Sequence, residues 1–411
     1  VGRLTREVVQ PSITGVPWSR EIDYRDEVLQ RVERDARGHE TRFDLDRLGR
    51  VVVESDEFAK TVETVWDGVN RTEVTDKRGF PTDYEYDELN RVTVVRNALE
   101  DSVVTVYRDD ENATEETDRK EIVTRTETDP LGRVRRVFRP WDPDTRTGLL
   151  LETHTWDGNG NRVSQTDAED KRIEFTYDGA NRVVLRTDGV ETPAEASIEY
   201  RYDPNGNRVM EIDERHTEDA PTLRSSYDPL NRVASTTNGE GESTIYGYDA
   251  EGNRTSVQEP KGQVTTYEYG ELGELVTVTQ PPPAAGEDSP VTRFAYDPNR
   301  NRISQTDANG HVVEMTYDEL NRVTSRIQDA APGGLGLLTL FDYDPNGNET
   351  LLTDPKGQTV TSSYDPLNRM DGRTYAFAPG ETEIPWRRTT GISYEYDEND
   401  NLIQVDEFVA S

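Results

Sequence analysis

The sequence contains no cysteine, only three methionines and four histidines, and no long apolar run among its 411 residues. Without cysteine there is no disulfide framework and no thiolate chemistry, which leaves the redox compartment open. No HExxH pair, P-loop, dinucleotide fingerprint or G-x-S-x-G elbow is found, and a zinc site is disfavoured because the histidines are scattered at His39, His154, His216 and His311. We therefore expect no enzyme, no cofactor, no metal site and no membrane insertion by this segment.

Hydrophobic residues are also scarce, at 32% of the chain, and the 82 acidic residues outnumber the 47 basic ones to give a net charge of −35. Such a composition fits a thin, extended layer better than a globule. The negative charge disfavours binding to nucleic acid or to an anionic membrane surface. Only six of the basic residues are lysine, which indicates either a salt-adapted (halophilic) source or simple codon bias.

What the chain does contain is an aromatic residue, usually tyrosine, followed by aspartate and then a turn. The sequence YDELNRV occurs at 86–92 and again at 317–323. Counting the aromatic position gives seventeen units spaced by about 23 residues, within the range of repeat architectures. These positions are Tyr24, Phe43, Trp66, Tyr86, Tyr107, Thr128, Trp156, Tyr177, Tyr202, Tyr227, Tyr248, Tyr269, Tyr296, Tyr317, Tyr343, Tyr364 and Tyr396.

Apolar and polar residues alternate on both sides of each motif, so each unit is predicted to be a β-hairpin. The aspartate is expected to bond backbone N–H groups two residues on, and asparagine or glycine to close the turn in the left-handed conformation. The arginine that follows is expected to pair with the aspartate of a neighbouring unit, forming a ladder along the turn edge. The motif residues selected are Tyr86, Asp87, Asn90, Arg91, Tyr177, Asp178, Tyr202, Asp203, Asn207, Arg208, Tyr227, Asp228, Tyr317, Asp318, Asn321, Arg322, Tyr364 and Asp365.

The distance from the aromatic residue to the turn-closing asparagine or glycine alternates between four and five residues from Tyr86 onward, which predicts a period of two hairpins. We expect a single continuous array over residues 1–411, less regular in 1–85 and regular in 86–411. The array is expected to be cut at both ends, because residues 1–4 read as the second half of a motif. Four Pro/Gly-rich insertions are predicted on the edge opposite the Tyr-Asp turns, at 140–148, 280–290, 330–336 and 378–385.

Seventeen in-register copies of this motif resemble the Tyr-Asp (YD, or Rhs) repeat of bacterial Rhs and wall-associated proteins, toxin-complex B and C components, and animal teneurins. The resemblance implies an all-β fold in which tandem hairpins form one long, spiralling antiparallel sheet, either a hollow shell or a rod. In the bacterial members such a shell encloses a toxic C-terminal segment, whereas in teneurins it supports adhesion. The self-cleaving segment that closes many bacterial versions has no counterpart that we could identify in this sequence.

Three other kinds of site have weaker signals. The turn that begins at Asp203, with Glu214 at the twelfth place, faintly resembles a calcium loop, but its glycine falls at the fourth place instead of the sixth, so a plain turn is preferred. The aromatic stripe is expected to be a packed ladder rather than a sugar-binding surface. Four Asn-x-Thr sequons are candidate glycosylation sites: Asn70, Asn112, Asn253 and Asn348.

The sequence thus leaves two functional hypotheses. The first is a structural scaffold forming part of a shell around a C-terminal toxin or effector of an exported, surface-delivered protein. The second is a cell-surface adhesion or fibre module that binds proteins or glycans through its loops. The expected partners are enclosed C-terminal cargo or other chains of a shell or fibre, with glycans or cell-surface proteins as the alternative. The expected location is extracellular or at the cell surface.

Overall fold

A computed structural model describes residues 6–9, 20–213, 217–218, 221–377 and 389–409. These residues form β-strands joined by tight turns, with two short 3-10 turns at Asp26–Val28 and Asp109–Glu111 and no α-helix in the described ranges. The strands are β1 Arg6–Val9, β2 Arg20–Arg25, β3 Gln30–Arg34, β4 Glu40–Leu45, β5 Val51–Ser55, β6 Thr61–Asp67, β7 Asn70–Thr75, β8 Pro81–Tyr86, β9 Val92–Arg96, β10 Ser102–Arg108, β11 Ala113–Thr117, β12 Val123–Thr128, β13 Val134–Asp142, β14 Thr147–Trp156, β15 Arg162–Asp167, β16 Arg172–Tyr177, β17 Val183–Asp188, β18 Ala196–Tyr202, β19 Arg208–Asp213, β20 Leu223–Tyr227, β21 Val233–Asn238, β22 Ser243–Tyr248, β23 Arg254–Gln258, β24 Val264–Tyr269, β25 Leu275–Thr279, β26 Val291–Tyr296, β27 Arg302–Thr306, β28 Val312–Tyr317, β29 Val323–Gln328, β30 Leu337–Tyr343, β31 Glu349–Thr353, β32 Thr359–Tyr364, β33 Met370–Ala376, β34 Thr389–Tyr396 and β35 Leu402–Val409.

The chain divides into two compact units: unit 1 comprises Val1–Val104, Tyr269–Val278 and Pro290–Ser411, and unit 2 comprises Thr105–Glu268 and Thr279–Ser289. In unit 1, β1 to β9 form one antiparallel meander and β26 to β35 form a second. In unit 2, β11 to β24 pair in sequence order in the same way. The predicted all-β fold of tandem antiparallel hairpins is confirmed.

The sheet has little core. Most strand residues are half-buried, and the buried hydrophobic residues of the described chain are Val32, Ala113, Trp141 and Met210. Each strand therefore gains much of its burial from its neighbours in the ladder. This arrangement agrees with the thin layer that the lean composition predicts.

Candidate functional site: the Tyr-Asp turn edge

The turn after each aromatic position is capped by its aspartate. In the turn after β28, Asp318 Oδ1 accepts hydrogen bonds from the backbone N–H groups of Leu320 and Arg322, both at 2.9 Å. The Arg322 carbonyl accepts from the Asp318 N–H at 2.9 Å, and Asn321 takes a left-handed φ of 62°. The hydrogen bonds of the cap therefore need an acceptor at the first turn position and a residue that tolerates positive φ at the fourth.

The spacing of four or five residues does not mark two turn lengths. In the turn after Tyr202 the left-handed residue is Gly206, with φ 91°, and it lies four residues after the aromatic, as Asn321 does after Tyr317. The fifth residue is Asn207 in one class of turn and arginine in the other. Asn207 Nδ2 donates to Asp203 Oδ2 at 2.8 Å, just as Arg322 Nε donates to Asp318 Oδ2 at 2.7 Å. The two-hairpin period is thus an alternation of side-chain chemistry on one turn geometry.

The turn arginine Arg322 does not form the expected ion pair with a neighbouring unit's aspartate, although Arg369 does so with Asp400 at 2.7 Å. Arg322 pairs with Asp318 of its own turn, while Nη1 donates to the backbone carbonyl of Asp344 in the next unit at 3.0 Å. Its guanidinium also lies 4.9 Å from the ring centre of Tyr343. The neighbouring carboxylate is already occupied by Asn348 of its own turn, so the arginine reaches the carbonyl and the aromatic face instead.

An asparagine-type turn has asparagine at its fifth position, and an arginine-type turn has arginine there. The link from an asparagine-type turn to the following arginine-type turn is made by side-chain amides. Asn205 Nδ2 and Asn207 Nδ2 both donate to Asn231 Oδ1, at 3.2 and 2.8 Å. The same arrangement occurs at Asn181, Asn321 and Asn368, each of which accepts from two asparagines of the preceding turn. The left-handed asparagine of an arginine-type turn therefore also supplies the acceptor that joins it to its neighbour.

The aromatic residues form a hydrogen-bonded ladder. Tyr317 Oη donates to the Arg302 carbonyl at 2.9 Å, and Tyr202 Oη donates to the Val183 carbonyl at 2.8 Å, in each case six residues after the preceding aromatic position. Burial raises the pKa of both tyrosines. The same bond is made by Tyr86, Tyr177, Tyr227, Tyr248, Tyr296, Tyr343, Tyr364 and Tyr396, and through Nε1 by Trp66 and Trp156.

Three aromatic positions differ from the sequence assignment. The residue directly before the capped turn in β4 is Leu45, not Phe43, since Asp46 makes the cap and Gly49 takes φ 80°. That turn therefore has the regular geometry, although it lies in the region predicted to be irregular. After Tyr24 a 3-10 turn replaces the capped turn, with Leu29 left-handed at φ 52°, and a similar 3-10 turn follows Tyr107.

The turns at the other end of the hairpins use the same cap. Asp76 Oδ1 accepts from the N–H groups of Arg78 and Phe80, both at 2.9 Å, and Gly79 takes φ 89°. Because strands alternate in direction, these turns and the insertions at 140–148 and 330–336 lie on the edge opposite the Tyr-Asp turns, within their own units. The insertion at 280–290 includes residues of both units. The fourth insertion, at 378–385, falls outside the described residues.

In unit 1 some of these opposite-edge turns contact the Tyr-Asp turns of the second meander. We call the contacts made by Arg37, Phe58 and Arg78 the seam. Arg78 Nη2 donates to the carbonyls of Tyr364 and Asp365, at 3.0 and 2.9 Å, and Nη1 donates to Asn368 Oδ1 at 3.0 Å. Its Nε lies 3.6 Å from Asp344 Oδ2, and its side chain is only 13% exposed. One side chain therefore joins two consecutive Tyr-Asp turns to the edge of another meander.

Arg37 makes the equivalent contacts two hairpins earlier. It donates to the Asp318 carbonyl and to Asn321 Oδ1, and it lies 3.7 Å from Asp297 Oδ2. Between the two arginines, Phe58 occupies the same third turn position, and the Arg322 guanidinium lies 5.7 Å from its ring centre. The seam therefore alternates cation, aromatic, cation along the edge, with both arginines in turns that read Asp-x-Arg-Gly, at 35–38 and 76–79.

Several of the capping carboxylates, among them Asp178, Asp203 and Asp228, have lowered pKa values. For Asp228 the backbone N–H of Arg232 contributes most to the lower pKa, and for Asp203 the Asn207 amide does. For Asp178 the largest contribution is the Arg182 guanidinium. In each case a donor favours the ionised form, so the turn geometry and the charge state are coupled.

The other residues singled out in the sequence remain at scattered positions. Three sequon amides are used in turn contacts: Asn70 donates to Asn90, Asn253 to Asp249, and Asn348 to Asp344. Asn112 has a left-handed φ of 49° and is exposed. Within the described ranges no group of three or more His, Asp or Glu side chains is arranged to hold a metal ion. His216 and Glu214 lie outside those ranges. The described residues also form no helix with the length and apolar character that a membrane crossing requires.

Sequence reasoning missed an ionic cluster in unit 2. Arg125, whose side chain is 5% exposed, pairs with Glu111 at 2.6 Å, Glu115 at 2.7 Å and Glu127 at 3.1 Å. Its guanidinium lies 4.8 Å from the ring centre of Trp141, which the long β13–β14 hairpin folds over it. The only sequence signal was that Thr128 replaces the aromatic residue nearby.

Comparison with known proteins agrees with this geometry. The RHS Repeat family model matches residues 156–192, 227–264, 296–333 and 343–377. The double-stranded DNA deaminase toxin A of Burkholderia cenocepacia (strain H111) is 26% identical over 165 residues, which cover 37% of this chain and 11% of that protein.

Two crystal structures share the fold. TcdB2-TccC3-Cdc42, and TcdB2-TccC3 without its hypervariable C-terminal region, each match with a TM-score of 0.66 at 14% identity. The matches cover 94% and 95% of this chain but only 22% of the solved chains, so the chain spans about a fifth of their length. On the motif, the turn geometry and the matched segments together, this chain carries repeats of the Tyr-Asp, or RHS, type.

Proposed function

We propose that this chain is a wall segment of a shell that encloses a C-terminal toxin or effector in a longer, exported protein. Its role in this proposal is structural and not catalytic. The observation that carries the proposal is the seam in unit 1, where the edge of one meander is fastened to the opposite kind of edge of another. A sheet strip fastened in this way coils past itself, whereas a straight rod leaves both edges of every hairpin free.

The relatives support the same proposal. The toxin of B. cenocepacia joins similar repeats to a named toxic activity, and the TcdB2-TccC3 structures share the fold. The thin, half-buried sheet also suits a wall, since a wall separates two aqueous spaces and needs no thick core. The cargo would be the polypeptide of the same protein or another chain.

The test is protease protection of the C-terminal region in the intact protein that carries this segment. A shell predicts that this region resists a protease that cleaves it rapidly once the protein is unfolded, and that electron microscopy shows an enclosed volume. Replacing both seam arginines, Arg37→Ala and Arg78→Ala, should speed its cleavage. Arg42→Ala is the matched control, because this arginine is 57% exposed and pairs with Glu40 of its own strand. An open rod with equally rapid cleavage in all variants would refute the shell and favour an adhesion module.

A further inference from the structure

The two turns that receive Arg78 in unit 1 have an identical counterpart in unit 2. The receiving pair reads DPNGN at 344–348 and DPLNR at 365–369, and the same ten residues occur at 203–207 and 228–232. We call the unit 2 pair the open turn pair. Identical sequence on identical turn geometry gives the same set of acceptors, so the open pair has the chemistry of a site that is occupied elsewhere in the molecule.

The internal contacts of the two pairs agree closely. In the occupied pair, Asn368 Oδ1 accepts from Asn346 and Asn348 at 2.8 and 3.0 Å. In the open pair, Asn231 Oδ1 accepts from Asn205 and Asn207 at 3.2 and 2.8 Å. The acceptor is therefore already oriented by the amide link and requires no rearrangement to take a further donor.

The two pairs differ in how much of their surface is exposed to solvent. Leu230 of the open pair is 66% exposed, whereas the equivalent Leu367 is half-buried. Pro204 and Asn205 are exposed, whereas Pro345 and Asn346 are half-buried. Over the ranges that the structure describes, Asn231 Oδ1 accepts from the two asparagines and from no arginine, while Asn368 Oδ1 also accepts from Arg78.

We propose that the open turn pair is a docking site for a β-turn with arginine at its third position, of the form Asp-x-Arg-Gly, presented by a hairpin of this repeat type. The arginine donates to the carbonyls of Tyr227 and Asp228 and to Asn231 Oδ1, and its charge faces Asp203. A second, similar pair at 157–161 and 178–182, reading DGNGN and DGANR, supplies the same acceptors around Asn181.

Charge and continuity with the seam favour this partner over others. In the occupied pair the carboxylate of Asp344 faces the arginine, and Asp203 is its equivalent in the open pair. A carboxylate at this place selects a cation. The Asn207 amide lowers the pKa of Asp203 and so favours its charged form. Two backbone carbonyls and an amide oxygen match the planar fork of arginine better than the point charge of lysine. The proposal does not require that any cargo be enclosed.

The test uses the full 411-residue chain and a cyclised peptide spanning residues 73–83, which carries the Asp76–Gly79 turn, with a photo-cross-linking side chain at position 77. We expect cross-links to the open turn pair and to the pair around Asn181, mapped by mass spectrometry. A peptide with Arg78→Ala should cross-link about tenfold less at the same concentration, given the loss of several charge-assisted hydrogen bonds. A peptide with Arg78→Lys should also cross-link less.

The chain itself provides matched controls. Asn231→Gly keeps a left-handed turn residue, as Gly206 shows, but removes the acceptor. It should abolish labelling at 203–232 and leave labelling at 157–182 unchanged, and Asn181→Gly should do the reverse. Equal labelling by the arginine, lysine and alanine peptides, labelling spread over the acidic surface, or no labelling of either pair would each overturn the proposal. None of these outcomes bears on the protease-protection test of the shell.

Discussion

At the scale of single residues, each recurring letter of the motif performs more than one task. The aspartate caps its turn and fixes the side chain at the fifth position, and the arginine spans two units through a carbonyl and an aromatic face. The tyrosine packs along the sheet and also donates to the preceding hairpin. Because these contacts share partners, their energies are coupled and will not add simply.

The tyrosine ladder can be tested at Tyr317. Tyr317→Ala should destabilise its region by about 3 to 5 kcal/mol, because the half-buried ring is lost, whereas Tyr317→Phe should cost only about 0.5 to 1.5 kcal/mol for the missing hydrogen bond to the Arg302 carbonyl. Hydrogen exchange of the amides in β27 to β29 measures the local effect. If alanine and phenylalanine had the same small effect, the ring would not be packed and a ligand-facing role would be favoured.

At the scale of the element, the β13–β14 hairpin is longer than its neighbours, and its end folds over the Arg125 cluster. The close approach depends on Gly148. A Cβ added there would lie 2.8 Å from the Pro140 carbonyl oxygen and 2.8 Å from Trp141 Cε3. Backbone and a buried ring cannot both move away, so this glycine is required by packing and not by a left-handed conformation.

Gly148→Ala should therefore destabilise the hairpin by about 1 to 3 kcal/mol, the usual cost of overpacking. Gly158→Ala is the control, because no atom lies within 4 Å of its added Cβ and its φ is not in the left-handed region. Trp141 fluorescence during denaturation reports the difference against a shared background of other tryptophans. Equal midpoints for the two variants would contradict the packing argument.

At the scale of the whole molecule, long-range order within unit 1 depends on a few side chains at the seam. Arg37 and Arg78 each join residues more than 250 positions apart in sequence. Their contacts are charge-assisted and mostly covered, so salt screens them less than it screens exposed pairs. The chain as a whole has a net charge of −35. Arg37 and Arg78 offset part of this charge locally, near Asp297 and Asp344.

Arg78→Ala should weaken the seam by about 1.5 to 3 kcal/mol, the range for hydrogen bonds to a charged group. Amide exchange should accelerate in the turns at 344–348 and 365–369, while the turn at 87–91, which has the same cap but lies away from Arg78, stays protected. Unchanged exchange at 344–369 would show that other contacts hold the two meanders together.

The array should also lose stability in acid. Several of the capping aspartates have folded-state pKa values below those of the unfolded chain. Their contribution to stability is fully present above about pH 4 and is lost as the pH falls through the lower folded values. Thermal midpoints followed by circular dichroism should therefore decline below about pH 4. Groups with this lowered pKa include Asp87, Asp129, Asp178, Asp203, Asp228, Asp249 and Asp307. A midpoint that stays constant from about pH 6 to about pH 2 would contradict this coupling.

The sequence by itself determined the hairpin repeat and its turns, because alternation, capping aspartates and left-handed asparagines or glycines act over a few neighbouring residues. The motif alone was enough to assign Asp318 and Asn321 their places in the turn. Assigning units by their aromatic residue misplaced the turn after Leu45, although the local sequence from Asp46 to Arg50 carries the capping pattern. Local patterns could not show where Arg37, Arg78 and Arg322 point. Those contacts depend on which turn lies beside which edge, and only the tertiary structure decides that.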